Sequence, residues 1–475
     1  MARTWTRKCS RPVARAVALI FCLGVSLHLH FSTCVSVKES TITGRKDDSD
    51  TNRPGNTSSI SSPRSYQVPP TCRPKTKLAF IKVHKAASST MMQILHRFGY
   101  LRKLSFVQHR SRDVNGLYPH GLSYPEIIMP PQGESHDILT YHTVYDRPNI
   151  VRQLTSAAKF VTILREPFQH FKSAFAFYGY KKIFNITAQN PLETFLENPI
   201  FYDNLKRGSY KTRNPMAKDL GLSVNMLSPS HQKNEIANIT KQFIDKIFRE
   251  FDLVMISDHF DESLVLLRRL MCWDLKDVLY YKYNTYKYSS IYDASNISQR
   301  LRDTHEEWDA VDYALYEYFN KTLWKKIAAE GESFVQELAH FRDVELKMRT
   351  HCNSDYSVLE ALVISESPWN SAFKIDSEYC TWVKTFHMCY YYLIRDRNSR
   401  YQAGLKGPVA DGTVPKNGIF YSPPYCSTEC EMIKQECSLH EYVQHCYQEG
   451  FLKESQSSSQ KIKFIQHGGK PLPFQ

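Results

Sequence analysis

Between Leu78 and Leu270 the chain alternates short unbroken apolar runs with longer stretches in which apolar residues recur every three or four positions. The runs Leu78–Val83 (LAFIKV), Ile138–His142, Phe160–Leu164 (FVTIL) and Leu253–Ser257 (LVMIS) are too short for helices, and their continuity suits strands buried on both faces. Helical spacing follows three of them. Ser88–Phe98 places Met91, Met92, Leu95 and Phe98 along one face, Pro167 opens a helix running to about Tyr178, and Phe260–Leu270 forms a third. Strand and helix in alternation predict an α/β fold with a parallel sheet. From Ser295 to about Met348 the pattern is helical and charged, and past Gly404 it loosens into Gly/Pro-rich sequence with no internal repeat.

The N-terminal end changes the picture. Ala16–Val37 (AVALIFCLGVSLHLHFSTCVSV) is apolar over about the length that spans a bilayer, and Arg3, Arg7, Lys8, Arg11 and Arg15 precede it with no acid. Its length favours a retained signal anchor over a cleaved signal peptide, although His28 and His30 weaken the span. The expected order is a cytoplasmic tail over 1–15, a transmembrane anchor over 16–37, a luminal stem over 38–71, a globular domain over 72–404 and a cysteine-containing tail over 405–475. The stem is rich in Ser, Thr, Asp, Asn and Pro and carries too little apolar surface to order itself.

A luminal address agrees with the remaining chemistry. Glycosylation sequons stand at Asn56, Asn185, Asn238, Asn296 and Asn320. Cys72, Cys272, Cys352, Cys380, Cys389, Cys426, Cys430, Cys437 and Cys446 lie beyond the anchor, where an oxidising lumen favours disulfides. Nine is odd, and spacing does not give the connectivity; in the tail, disulfides suit the spacing better than zinc. The net charge of +13 drops to +8 without the five basic residues of the cytoplasmic tail, which suits an anionic ligand or a membrane surface. No basic run with interleaved aromatics points to a nucleic acid.

The stretch FIKVHKAASSTMMQIL, Phe80 to Leu95, runs from strand to turn to helix. A helix starting at the carboxyl end of a parallel strand offers open N–H groups and the positive end of its dipole, the place for a phosphate. Lys82 and Lys85 add charge, and Ser88, Ser89 and Thr90 add hydroxyls. The nucleotide P-loop wraps a triphosphate with glycines, yet no glycine occurs between Leu78 and Phe98, so a shorter anion such as a 5′-phosphosulfate fits better. Taken singly, these residues are ordinary surface charges and helix caps; the set in this order points to an anion site. In Phe160–Tyr178, Arg165 at the strand end and Ser173 two turns into the helix suit a second phosphate. Alone, the Arg-Glu-Pro step is equally a helix start with a local salt bridge.

The segments FIKVHKAASSTMMQILHRFGY, ILREPFQHFKSAFAFY and Val254–Asn284 together resemble the galactose-3-O-sulfotransferase family, with weaker similarity to about Tyr401. The resemblance implies a parallel-sheet, P-loop-like sulfotransferase fold behind an N-terminal transmembrane helix, and single-pass type II residence in the Golgi membrane. It makes 72–404 a catalytic domain using 3′-phosphoadenosine 5′-phosphosulfate as co-substrate, without metal. By the same resemblance Lys82, Lys85, Ala86, Ala87, Ser88, Ser89 and Thr90 bind the 5′-phosphosulfate, and Arg165 and Ser173 the 3′-phosphate. His84 and His142 stand where similar enzymes have essential histidines. His142, at a strand end, is expected to be the base, with His84 orienting the acceptor or the sulfonate and Lys85 stabilising charge on the leaving phosphate.

The implied acceptor is the 3-hydroxyl of a galactose on a galactosylceramide-like glycolipid or a glycan. The tyrosine run Tyr280–Tyr288 is either a set of platforms for a sugar face or a partly buried strand. Two departures from the family pattern stand out: Arg165-Glu166-Pro167 replaces Arg-Asp-Pro, and Lys85-Ala86 replaces Lys-Thr. Three rivals stay open, a uronyl 2-O-type glycosaminoglycan sulfotransferase, a luminal kinase, and an inactive luminal binding protein of the same fold. The kinase lacks a glycine-rich loop and nearby carboxylates for Mg²⁺. A homodimer also stays open.

Overall fold

The computed structural model describes residues 72–110, 118, 121–122, 127–130, 134–205, 212–223, 233–281, 297–354 and 360–402. The anchor, the stem, Asn56, Asn296, most of the tyrosine run and the cysteine tail fall outside them. Among the described residues no helix is long and apolar enough to cross a membrane.

The chain begins β1 (Leu78–Ile81), α1 (Ser88–Leu101), β2 (Ile138–Leu139), α2 (Arg147–Leu154), β3 (Lys159–Leu164), α3 (Pro167–Phe177). Short helices follow, α4 (Tyr180–Ile183), α5 (Pro191–Glu197), α6 (Pro199–Leu205) and α7 (Pro215–Asp219), then α8 (Lys233–Glu250), β4 (Leu253–Ile256), α9 (Phe260–Met271) and α10 (Leu275–Val278). Three helices, α11 (Gln299–Trp308), α12 (Ala310–Glu330) and α13 (Glu332–Asn353), precede a hairpin of β5 (Leu362–Ile364) and β6 (Phe373–Ile375), and α14 (Ser377–Lys384) and α15 (His387–Gln402) complete the described chain.

The main sheet is parallel throughout, in the order β2-β1-β3-β4, as the alternation predicts. Every residue of β1, and Phe160 to Leu164 of β3, is fully buried. That burial is why these strands read as unbroken apolar runs rather than alternating ones. The connection from β1 leads to β2 on one side, and the chain then crosses back to β3 on the other. The carboxyl ends of β1 and β3 therefore flank a topological switch point, where open α/β sheets bind ligands. Gly99 lets α1 lie close to the sheet edge, since a Cβ there would meet the Phe106 ring at 2.5 Å.

One strand is shorter than expected. β2 covers only Ile138–Leu139, and His142 lies three residues past its end. Beyond Leu139 the chain turns to α1 instead, where the Thr140 hydroxyl bonds His96 Nε2 at 2.8 Å. A second cluster of buried aromatics, including Phe168, Phe171, Phe175, Phe184 and Phe195, holds α3 to the short helices after it.

Disulfides join Cys72 to Cys272 and Cys352 to Cys380, and Cys389 is disulfide-bonded as well, in keeping with an oxidising compartment. The sequons differ in presentation. Asn185, in a left-handed turn after α4, and Asn238 on α8 are exposed, whereas Asn320 on α12 is partly buried with its Oδ1 enclosed. Expressed through the secretory pathway, Asn185→Gln and Asn238→Gln should each remove one glycan as read by gel mobility, and Asn320→Gln none. A mobility step lost in Asn320→Gln would contradict that expectation.

Candidate active site

The loop between β1 and α1 achieves without glycine what glycines supply elsewhere. Lys85 and Ala87 both adopt left-handed backbone conformations, with φ of 59° and 57°. Non-glycine residues rarely do so, at a cost of about 1–2 kcal/mol each, and such strain persists where the surroundings enforce it. Left-handed residues set in a turn are the conformations from which anion-binding N–H nests are built. Ala87 is also the N-cap of α1 and supplies no side-chain cap; the Thr90 N–H turns back to the Ala87 carbonyl at 3.1 Å, which leaves the Ser88 and Ser89 N–H groups facing the loop. Ala86 and Ser88 are buried in the loop's floor, Ala87 is exposed, and Ser89 and Thr90 are half-buried.

Two cations converge here from separate strands. Arg165, at the end of β3, donates from Nη1 to the Lys85 carbonyl at 3.2 Å. Burial first, and then the neighbouring Arg165 guanidinium, together push the Lys85 ammonium down to about 8. Burial lowers Arg165 too, offset in part by Asp258 and Glu166. Two partly desolvated cations in mutual repulsion at a strand end form a site whose electrostatics improve when an anion arrives. The Lys85 ammonium rests 3.7 Å from the centre of the Phe177 ring. Glu166 faces the other way, since its carboxylate accepts from the Phe168 and Gln169 N–H groups at 3.0 and 2.7 Å and caps α3. The exchange of Asp for Glu in this step therefore alters a cap, not a cation.

Beside the loop stand the two histidines. Their rings stack, His84 on His142, with centroids 3.7 Å apart and planes 16° from parallel. Asp219, the last residue of α7 and almost wholly buried, accepts from the His84 backbone N–H at 2.8 Å and from its Nδ1 at 2.7 Å. His170 Nε2 donates to the His84 carbonyl at 2.7 Å. The Tyr118 ring meets the His84 ring edge-on at 4.9 Å, and burial, then the charge of Asp219 and a hydrogen bond to it, hold the phenol protonated.

The expected residues are not all at one point. Lys85 and Arg165 meet, and so do His84 and His142. Lys82 is buried beneath the loop toward α1, its ammonium 2.7 Å from the Met92 sulfur, and burial together with Lys82 keeps the nearby His387 imidazole neutral. Ser173 lies on α3, nearly buried. Asp219 was not among the expected residues. It lies 135 positions from His84 in a stretch, NPMAKDLGL, with no motif to mark it, so only the tertiary fold reveals it.

Residues 9–374 match the profile of the galactose-3-O-sulfotransferase family. The match starts closer to the N-terminus than the resemblance described above and stops short of Tyr401. The chain is 32% identical over 305 residues to galactosylceramide sulfotransferase of Homo sapiens, covering 63% of this chain and 70% of that protein. It is 34% identical over 325 residues to galactose-3-O-sulfotransferase 3 of Mus musculus, covering 67% and 73%. Both similarities extend well past the local loop and helix segments, and the family profile covers most of the sequence; the chain is an enzyme of the galactose-3-O-sulfotransferase family.

Proposed function

We propose that this enzyme moves the sulfuryl group of 3′-phosphoadenosine 5′-phosphosulfate to the 3-hydroxyl of a galactose on a glycolipid or glycan. It would do so in the Golgi lumen, with 72–404 as catalytic domain held to the membrane by 16–37. The observation that supports this most is the meeting of Lys85 and Arg165 over a strained, glycine-free loop at the switch point of the sheet. The family supplies the reaction type, and this geometry supports Lys85 as the cation beside the leaving phosphate, with Arg165 next to it for the 3′-phosphate.

Lys85 and the N–H groups of the loop and α1 bind the 5′-phosphosulfate and stabilise charge as the phosphate departs. Arg165, with Ser173 further along α3, binds the 3′-phosphate. Lys82, buried beneath the loop, adds positive potential from below. One of the stacked histidines takes the acceptor proton.

The relatives' names point to two acceptor classes, galactosylceramide for one and a galactose 3-hydroxyl without further definition for the other. Transfer of labelled sulfate by the full-length chain to galactosylceramide, lactosylceramide, a galactose-ended glycan and heparan separates them. Label on galactose-ended acceptors and none on heparan is the expected result. Label on heparan alone would replace this proposal with a glycosaminoglycan sulfotransferase.

A further inference from the structure

The two histidines are not equivalent in their surroundings. A carboxylate accepting at Nδ1 fixes the neutral imidazole as the tautomer protonated there and leaves Nε2 as the basic nitrogen. Asp219 does this to His84 at 2.7 Å and also holds the same residue's backbone N–H, so it sets both the ring and the chain that carries it.

Asp219 is itself held from both ends. α7 is only five residues long, too short to stand alone. The Asp312 carboxylate accepts from the Met216 and Ala217 N–H groups at 2.9 and 2.8 Å, which caps α7 from α12. In return the Asn214 side-chain oxygen accepts from the Val311 and Asp312 N–H groups at 3.0 and 3.2 Å, which caps α12 from the start of α7. The Asn214 N–H also bonds the Asp309 carboxylate. At the far end, the Asp219 carbonyl accepts from Tyr145 N–H at 3.0 Å, and Gly221 passes so close to the Tyr145 carbonyl that a Cβ would meet it at 2.5 Å.

We propose that Asp219 is the positioning residue that makes His84, rather than His142, the base of sulfuryl transfer, and that the reciprocal clasp of Asn214 and Asp312 holds it there. This rests on the sulfotransfer reading above and reverses the assignment expected from sequence. In the step, the galactose O3 forms its bond to sulfur as the bond from sulfur to the bridging phosphate oxygen breaks. The O3 proton passes to His84 Nε2, the bond's electron pair leaves with 3′-phosphoadenosine 5′-phosphate, and Asp219 balances the imidazolium until solvent removes the proton. His142 stacks on the His84 ring and lies against the reacting group without taking its proton.

Among the described residues, the charged and titratable groups about His84 include Asp219 from α7, His142 after β2, Tyr118, and His170 from α3, with Lys85 next in the chain and Arg165 bonded to the Lys85 carbonyl. Only Asp219 is an anion among them, so removing its charge moves protonation of His84 to lower pH.

The test uses the full-length chain and two readouts. One is kcat with donor KM across pH; the other is carbethoxylation of His84 against pH, read peptide by peptide by mass spectrometry, which needs no activity. Asp219→Asn should lower kcat about 10²- to 10⁴-fold, by analogy with loss of an orienting aspartate and of a general base, while donor KM changes less than about threefold. The acid limb and the His84 carbethoxylation midpoint should both move to lower pH. Asn214→Gly, which keeps the left-handed backbone and removes the cap, should move the midpoint the same way by less. His142→Asn should keep the acid limb.

An unmoved His84 midpoint in Asp219→Asn overturns the positioning role, and an acid limb lost in His142→Asn overturns the choice of base. No sulfate transfer by the unmodified chain to any galactoside instead overturns the sulfotransfer reading, with the midpoint still reporting on Asp219.

Discussion

Lys85→Ala is expected to lower kcat/KM for the sulfuryl donor by about 10³-fold, or ~4 kcal/mol of transition-state stabilisation, because under the proposed function it removes the cation aimed at the leaving phosphate. The effect has a pH signature. With its ammonium pushed down to about 8 by burial and by Arg165, Lys85 is charged below that pH and loses its proton as pH rises through it. Binding of an anion favours the charged form, so affinity for 3′-phosphoadenosine 5′-phosphate is full near pH 7 and weakens above about 8, by up to about tenfold per pH unit. Calorimetric titration across that range checks this. Lys85→Arg should flatten the profile, since a guanidinium stays charged. A wild-type affinity that is constant from about pH 7 to about pH 9.5 would contradict the assignment of Lys85 to the anion.

The largest loss of stability is expected away from the site, at Glu337. This residue of α13 is fully buried, and its two oxygens accept from the Nε atoms of Arg268 and Arg269 on α9, the helix that follows β4. Glu337→Ala leaves two guanidinium groups with their shared carboxylate gone, which costs about 3–5 kcal/mol and lowers the thermal midpoint by roughly 10 °C in a domain of this size. The contrast is Glu317→Ala, which breaks an exposed pair with Lys321 within α12 and is expected to change stability by less than about 1 kcal/mol. Scanning calorimetry of both variants decides the matter, and equal shifts would contradict the ordering.

The legible parts of this protein are those whose determinants sit close together in the chain. Strands β1, β3 and β4 appear as apolar runs because a parallel sheet buries both faces. Arg165 directly follows β3 and Lys85 stands in the short loop after β1, and the end of a buried strand is a fixed place relative to the sheet. The short helices α4 to α7 escape periodicity because four to seven residues give barely two turns. Pro191, Pro199 and Pro215 begin three of them and are the signal that was there to use.

Contacts distant in sequence were not legible. β2 ends at Leu139 because Thr140 is drawn to His96, and that shift takes His142 off the strand where periodicity puts it. Nothing local distinguishes Asp219 from the other acids, although it touches His84. The left-handed turns at Lys85 and Ala87 were hidden for a related reason: neither residue type signals positive φ, and the surrounding fold imposes it. Glu166 shows the converse, a departure from the family pattern whose harmlessness follows once its capping bonds are seen.

Sulfate transfer to a matched pair of acceptors, a terminal β-galactoside and its 3-deoxy analogue, tests the central claim most directly. With the full-length chain and labelled 3′-phosphoadenosine 5′-phosphosulfate, the galactoside should be labelled and the 3-deoxy analogue should not. Equal labelling of the two would contradict transfer to the galactose 3-hydroxyl.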